Sequence, residues 1–224
     1  MCGILGVLRS SRLGDARFAA ALETLRWRGR DALRSEVAGD WRLGVARLAI
    51  SDLAHDQPIR CPTSGRVALL NGALTDARAQ WPRFPEAATR NDAELLLLRT
   101  RDDGGDGLRG ITGPYAFAIV DPAGGEPTFG RDPLGEKPLW IVRDQGRVVA
   151  FASTLPALEA LGLRFEHDDA ARARALRFGF TCDAPRAVGV APVRHQPVPP
   201  ERLRQVGPVL GEDGLVLVAD RADV

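Results

Sequence analysis

Residues 114–153 read PYAFAIVDPAGGEPTFGRDPLGEKPLWIVRDQGRVVAFAS. Four short runs rich in apolar residues, PYAFAIVD, EPTFGRD, PLWIVRD and RVVAFAS, follow one another, with turn residues PAGG and DQG among them. Such spacing predicts strands joined as successive hairpins. Hairpins make antiparallel neighbours, so much of the sheet in this chain is expected to be antiparallel. A helix over about residues 155–161 is expected to pack behind these strands.

Outward from that stretch, helical and strand patterns mix. GILGVL, residues 3–8, reads as a buried strand starting right after Cys2. A helix is expected from about Asp15 to Trp27, with Phe18, Ala21, Leu22 and Leu25 on one face. In WRLGVARLAI, Trp41, Leu43 and Val45 alternate as in a half-buried strand. RVALLNG, from Arg66, is a short strand ending at a glycine. Asn91 and Glu94 form a capping pair that opens a helix through ELLLLRTRDD, which stops at Gly104-Gly105. Residues 168–178 look helical, and Pro185 to Pro208 is rich in proline and valine without clear periodicity. The elements make an α+β layered domain rather than a doubly wound one. Residues 1–163 are expected to form its core and 164–224 a C-terminal extension that completes it.

Composition excludes several function classes. Of 224 residues, 45% are apolar and 26% charged, and 30 basic against 29 acidic side chains leave a net charge of +1. That balance gives no footprint for nucleic acid or for an anionic membrane. No apolar run approaches the roughly 18 residues of a membrane span. The start MCGILGVLRS has no basic residue before its apolar run, which is too short for a signal peptide, so a cytoplasmic location is expected. Cys2, Cys61 and Cys182 form no CxxC pair; they make no disulfide framework, and their separation argues against a zinc site. No metal and no cofactor are therefore expected. Only His55, His167 and His195 are available to a histidine-based scheme.

Cys2 is the candidate nucleophile. Cysteine is small enough for the initiator Met1 to be trimmed, which would put a free α-amine and a thiol on one residue. An α-amine has a pKa of about 7.7–8.0 in model peptides, so part of it is neutral near physiological pH and can act as a base. The thiol needs such a base to become a thiolate. Gly3 lets the backbone approach closely, and the strand behind it makes a rigid support. The competing reading is a small buried apolar side chain at the start of a strand. Asn71-Gly72 reads either as a tight turn or as two oxyanion donors, the Asn71 amide and the Gly72 N–H. Arg47 suits a bidentate grip on a carboxylate, and Asp92 can pair with an ammonium; otherwise they are a surface arginine and an acid at a helix start.

Several segments, in one order across residues 1–205, point to a family. MCGIL opens the chain. RGRD, Arg28 to Asp31, stands for Arg-Gly-Pro-Asp, with Arg30 in place of proline. GVARLAISDLAHDQP keeps Arg47, Asp52, Gln57 and Pro58 but has Val45 where the pattern has histidine. NGALTD keeps Asn71 and Gly72 but has Ala73 for glutamate. NDAE keeps Asp92 and Glu94, and RDPLGEKPLW is followed by ASTLPALEAL. These segments resemble the glutaminase domain of class II glutamine amidotransferases, and most of all the amino-terminal half of asparagine synthetase.

The resemblance implies the four-layer αββα sandwich of N-terminal nucleophile hydrolases. It implies L-glutamine as substrate, a glutamyl thioester on Cys2, and release of ammonia. Asn71 and Gly72 would form the oxyanion hole. Arg47 and Asp92 would hold the amino-acid end, with backbone at Leu48, Ile50 and Ser51 lining the pocket. No glycine-rich phosphate loop is present; Gly104-Gly105 and Gly124-Gly125 sit in turns. A separate ATP-dependent synthetase subunit is therefore the expected recipient of the ammonia, with residues 185–208 as a docking segment or a plain surface wrap. Trp27 to Leu33 and Ala73 to Trp81 are candidate gating loops. Two alternatives stay open: a catalytically silent module that stabilises a synthetase, suggested by Val45 and Ala73, and an N-terminal nucleophile hydrolase of another amide.

Overall fold

The apolar runs become strands buried on both faces. The computed structural model describes residues 1–165 apart from 12, 14, 15, 51 and 52, together with 177, 190–192 and 206–208. β1 (Gly3–Leu8) lies between β3 (Trp41–Arg47) and β9 (Arg147–Ala152) in a six-stranded sheet, whose order continues through β2 (Ala32–Ala38) at one edge and β8 (Trp140–Asp144) and β12 (Val206–Pro208) at the other. A four-stranded sheet runs β4 (Ile59–Arg60), β5 (Val67–Gly72), β6 (Tyr115–Val120), β7 (Thr128–Arg131). β10 (Leu163–Phe165) pairs with β11 (Val190–Pro192). All of these pairings are antiparallel.

The two sheets stack face to face. Phe129 of β7 meets Phe151 of β9 edge-on, with ring centroids 5.1 Å apart. Alternation along β5 and β6 sends Val67, Leu69, Ala116, Ala118 and Val120 into this inter-sheet core. Ala68, Leu70, Phe117 and Ile119 point the other way and pack with Leu95 and Leu96 of α3 (Asp92–Asp103). On the far side of the six-stranded sheet lie α1 (Phe18–Glu23) and α4 (Leu155–Ala160). The result is helix, sheet, sheet, helix, the αββα order.

Two expectations are corrected. The helix over 15–27 is only six residues long, Phe18–Glu23. After it the chain tightens into i→i+3 bonds, Leu25 N–H to Leu22 O and Arg28 N–H to Leu25 O, which turn Arg28 and Gly29 back onto β3. A side chain on Gly29 would sit 2.3 Å from the Ala46 carbonyl oxygen, so glycine is what lets the two segments touch. The second correction concerns β3, which is buried throughout except at Arg42. Its odd residues face the other sheet, as Trp41 does by packing on Phe151, while Gly44 lies under Phe18 and Leu22 of α1. Small residues at the even positions hid this second covered face from a period-two reading.

PYAFAIVD with EPTFGRD, and PLWIVRD with RVVAFAS, do form hairpins, β6–β7 and β8–β9, but the pairs belong to different sheets. RDPLGEKPLW carries the chain from one sheet to the other. The expected helix over 168–178 lies outside the described residues apart from Arg177. So does the segment 185–208 apart from β11 and β12.

Candidate active site

Strand register gathers the candidate residues at one end of the inter-sheet layer. β1 pairs with β3 as Gly3↔Ala46 and Ile4↔Val45, so one further step sets Cys2 opposite Arg47. On the facing sheet, Asn71 follows Val67 and Leu69 on the inward side of β5.

Cys2 is 8% exposed, and its Sγ lies 3.4 Å from the Leu48 N–H nitrogen and 3.6 Å from the Leu48 carbonyl oxygen. Arg28 fixes its backbone by donating from Nε to the Cys2 carbonyl at 3.0 Å. Burial holds the Arg28 guanidinium below the ordinary arginine range, against the pull of the Cys2 sulfur. Two residues further along, Ser153 grips β1 twice: its Oγ accepts the Ile4 N–H and its own N–H donates to the Ile4 carbonyl, each at 2.9 Å. Asp31 does the same for the opposite wall, donating its N–H to the Arg47 carbonyl at 3.0 Å and accepting the Ala49 N–H at 2.7 Å. The backbone at Leu48 is thus held between two anchored residues.

Arg47 is 5% exposed, and its Nη1 lies 3.2 Å from Asp56 Oδ1. The other oxygen of Asp56 receives Arg34 Nε at 2.9 Å. Asn71 is fully buried, and among the described residues neither its Oδ1 nor its Nδ2 has a hydrogen-bond partner. A buried amide without partners costs about 1–3 kcal/mol, so such a group marks a place where something other than stability is served. Gly72 has φ +132, and a side chain there would meet the Pro114 carbonyl oxygen at 2.0 Å, so only glycine fits.

Asp92 opens α3 and accepts the Leu74 N–H at 2.8 Å. Asn91 caps the helix as expected, its Oδ1 accepting the Ala93 N–H at 3.0 Å. Glu94 does not complete a capping box. Its carboxylate accepts the N–H groups of Ala88, Thr89 and Arg90 at 2.8, 2.8 and 2.9 Å and the Thr89 hydroxyl at 2.6 Å. It therefore shapes the loop that delivers Arg90 and Asp92, with Arg90 at φ +55.

Cys2, Arg47, Leu48, Ile50, Gly72 and Asp92 all line one open cavity of about 740 Å³. Asn71 stands behind that wall, and Ser51 lies outside the described residues. Met1 also lines the cavity, its sulfur 3.9 Å from Arg28 Nη2 and 3.7 Å from Lys137 Nζ. Of the departures from the family pattern, Ala73 lines the cavity, whereas Val45 is buried in the apolar core.

Sequence reasoning left out Gln57, Arg28 and Lys137 as site residues. Gln57 is 6% exposed and lines the cavity, its Oε1 accepting the Leu70 N–H at 2.7 Å beside Asn71. Its signal was the Gln-Pro pair after the arginine strand. Lys137 is placed by a closed loop: Asp132 accepts the N–H groups of Glu136 and Lys137 at 2.8 and 3.0 Å, and Arg131 Nε donates to the Lys137 carbonyl at 2.7 Å. The RDPLGEKPLW segment carried that signal. Among the described residues no group of His, Cys, Asp and Glu could hold a metal ion, and no helix is long and apolar enough to cross a membrane.

A thiol, a buried amide beside a glycine N–H, and a cation and an anion lining one cavity are the groups that binding an amino acid and attacking its side-chain amide would need. Comparison with known proteins shows the family. The pattern of the glutamine amidotransferase domain family matches residues 1–194. The glutamine-hydrolyzing asparagine synthetase of Asparagus officinalis is 31% identical over 147 residues, 63% of this chain and 25% of that protein. Asparagine synthetase B of Escherichia coli (strain K12) is 29% identical over 165 residues, 70% of this chain and 30% of that protein. That of Mesocricetus auratus is 30% identical over 169 residues, 72% of this chain and 30% of that protein. The chain thus spans well under half the length of these relatives. Among solved structures, glutamine phosphoribosylpyrophosphate amidotransferase from B. subtilis, complexed with ADP and GMP, superposes with a TM-score of 0.57 at 21% identity, covering 72% of this chain and 44% of that one. At that identity the likeness concerns the fold.

Proposed function

The chain belongs to the glutamine amidotransferase domain family, and from that premise we propose that it hydrolyses the side-chain amide of L-glutamine with the Cys2 thiol as nucleophile, after removal of Met1. One observation carries the reading: Cys2, Arg47, Gly72 and Asp92 line the same cavity, with the unpartnered Asn71 amide behind it.

In this mechanism Arg47 takes the substrate α-carboxylate and Asp92 its α-ammonium, while backbone at Leu48 and Ile50 lines the pocket, with Ser51 proposed beside them. The freed α-amine of Cys2 accepts the thiol proton, and the thiolate adds to the amide carbon. Negative charge develops on the carbonyl oxygen and is met by Asn71 Nδ2 and the Gly72 N–H. Collapse expels ammonia, which takes its proton from the Cys2 ammonium, and leaves a glutamyl thioester. Water then cleaves the thioester to glutamate and the free thiol. The ammonia is proposed to pass to an ATP-dependent synthetase partner, a reading motivated by the asparagine synthetases among the relatives.

The test uses protein shown by intact mass to begin at Cys2. It should release one ammonia per glutamate from L-glutamine, C2A should release none, and a glutamine-mimicking electrophile should label Cys2. Glutamine turnover that survives in C2A would sink the assignment.

A further inference from the structure

We propose that the cavity also takes glutamine whose α-nitrogen is acylated by an anionic group, as in a peptide ending Asp-Gln, with Arg78 and Arg90 receiving the added carboxylate. This rests on Cys2, Arg47 and Asp92 acting as assigned above. The cavity of about 740 Å³ is several times larger than a free amino acid. One wall of the cavity is built from two segments. Asp92 accepts the Leu74 N–H, and from Leu74 the chain enters α2 (Ala77–Gln80), which carries Arg78. Arg90 stands two residues before Asp92, and both arginines line the cavity. Asp76, just before α2, is tied to Arg99 of α3 at 3.5 Å, so the two segments are fastened together.

The charge on this wall is out of balance. Among the described residues, the side chains of Arg78 and Arg90 have no ionic or hydrogen-bonded partner. Other surface arginines are paired with an acid in some cases, as in Arg34–Asp56, Arg60–Glu36 and Arg101–Glu86. Glu94 is near in sequence to Arg90, but its carboxylate is committed to the N–H groups of residues 88–90 and to the Thr89 hydroxyl. Two guanidinium groups thus line the same cavity as Asp92, the single carboxylate among its lining residues. An acylated nitrogen carries no charge, still donates its N–H to Asp92, and places its extension toward the arginines. Trp81, on the same wall, offers that extension a flat apolar face. The chemistry is unchanged: Cys2 Sγ forms the thioester with the side-chain carbonyl, one ammonia leaves, and one water yields a peptide ending in glutamate.

The experiment compares ammonia release from N-acetyl-L-Asp-L-Gln and N-acetyl-L-Ala-L-Gln by trimmed wild type, R78Q, R90Q and R78Q/R90Q, read as the ratio of kcat/KM between the two dipeptides. The ratio should be roughly tenfold in wild type, fall in each single variant, approach one in the double variant, and shrink as salt is raised. A wild-type ratio near one, or one unchanged in R78Q/R90Q, overturns the proposal. Hydrolysis of free glutamine without hydrolysis of either dipeptide overturns it alone; no ammonia from any of the three substrates removes the Cys2 assignment as well.

Discussion

Arg28 Nε donates to the carbonyl of Cys2 at 3.0 Å, tying the turn after α1 to the residue that opens β1. The same guanidinium is 7% exposed and stacks over Trp27, 5.3 Å from the ring centroid. It thereby fixes the backbone that carries the thiol. Arg28→Met should lower kcat about 10²-fold, the cost of a small misplacement, with Met1 still removed and Cys2 still present by mass. Arg28→Lys should restore part of the loss. Wild-type kcat in R28M would show that the contact serves stability alone.

Asn71 offers an opposite trade between stability and rate. Its amide is buried without partners, so Asn71→Leu should raise thermal stability by about 1 kcal/mol while lowering kcat 10²–10³-fold, on the order of a lost oxyanion donor. Thermal denaturation beside steady-state kinetics reads both.

Asp56 holds Arg47 at 3.2 Å and Arg34 at 2.9 Å. Asp56→Asn removes the charge that orients Arg47, so KM for L-glutamine should rise roughly tenfold with kcat nearly kept. Asp56→Glu should recover part of the affinity. A fall in kcat at constant KM would contradict an orienting role.

Glu94 makes stability depend on acid. Burial alone would raise its carboxyl, but the Thr89 hydroxyl and the N–H groups of Ala88, Thr89 and Arg90 outweigh burial and hold it below its ordinary 4.5. With the folded value depressed, the contribution is fully present above 4.5 and is lost as pH falls through the lower folded value. Glu94→Gln should destabilise the protein by about 1–2 kcal/mol at pH 7, the side chain being partly solvated, and should flatten the stability curve below that window. Urea titrations at pH 7 and pH 3.5 would measure both effects.

Cys61 needs separate accounting in any thiol-labelling experiment. Burial pushes its thiol up, but hydrogen bonds from Ser64 and Thr63 pull it down to about 7. Alkylation of Cys61 should therefore be half-maximal near pH 7 and vanish in C61S, leaving Cys2 to be read apart from Cys182 by peptide mapping.

The sequence made the layered fold legible where pattern and turn chemistry agreed: β1, both hairpins and the helix opened by Asn91. It was less informative where a second covered face was lined by small residues, as in β3, whose Gly44 gives no apolar period. Contacts distant in sequence were the other blind spot. The Asn91–Glu94 spacing suits a capping box, yet Glu94 reaches back to residues 88–90. Five of the proposed glutamine-site residues, Cys2, Arg47, Asn71, Gly72 and Asp92, were candidates on residue chemistry, each with a plainer reading beside it, and the ordered segments of the resemblance joined them. What no local pattern could give was their support: Ser153 on Ile4, Asp31 on Ala49 and Asp56 on Arg47.

Met1 lies within the cavity, its sulfur next to Arg28 and Lys137. Any purification handle fused ahead of it would thread through the same opening and occupy the space meant for substrate. Recombinant work therefore calls for tags at the other terminus, or for a protease that cuts directly before Cys2; an inert preparation with an uncleaved leader would say nothing about the enzyme.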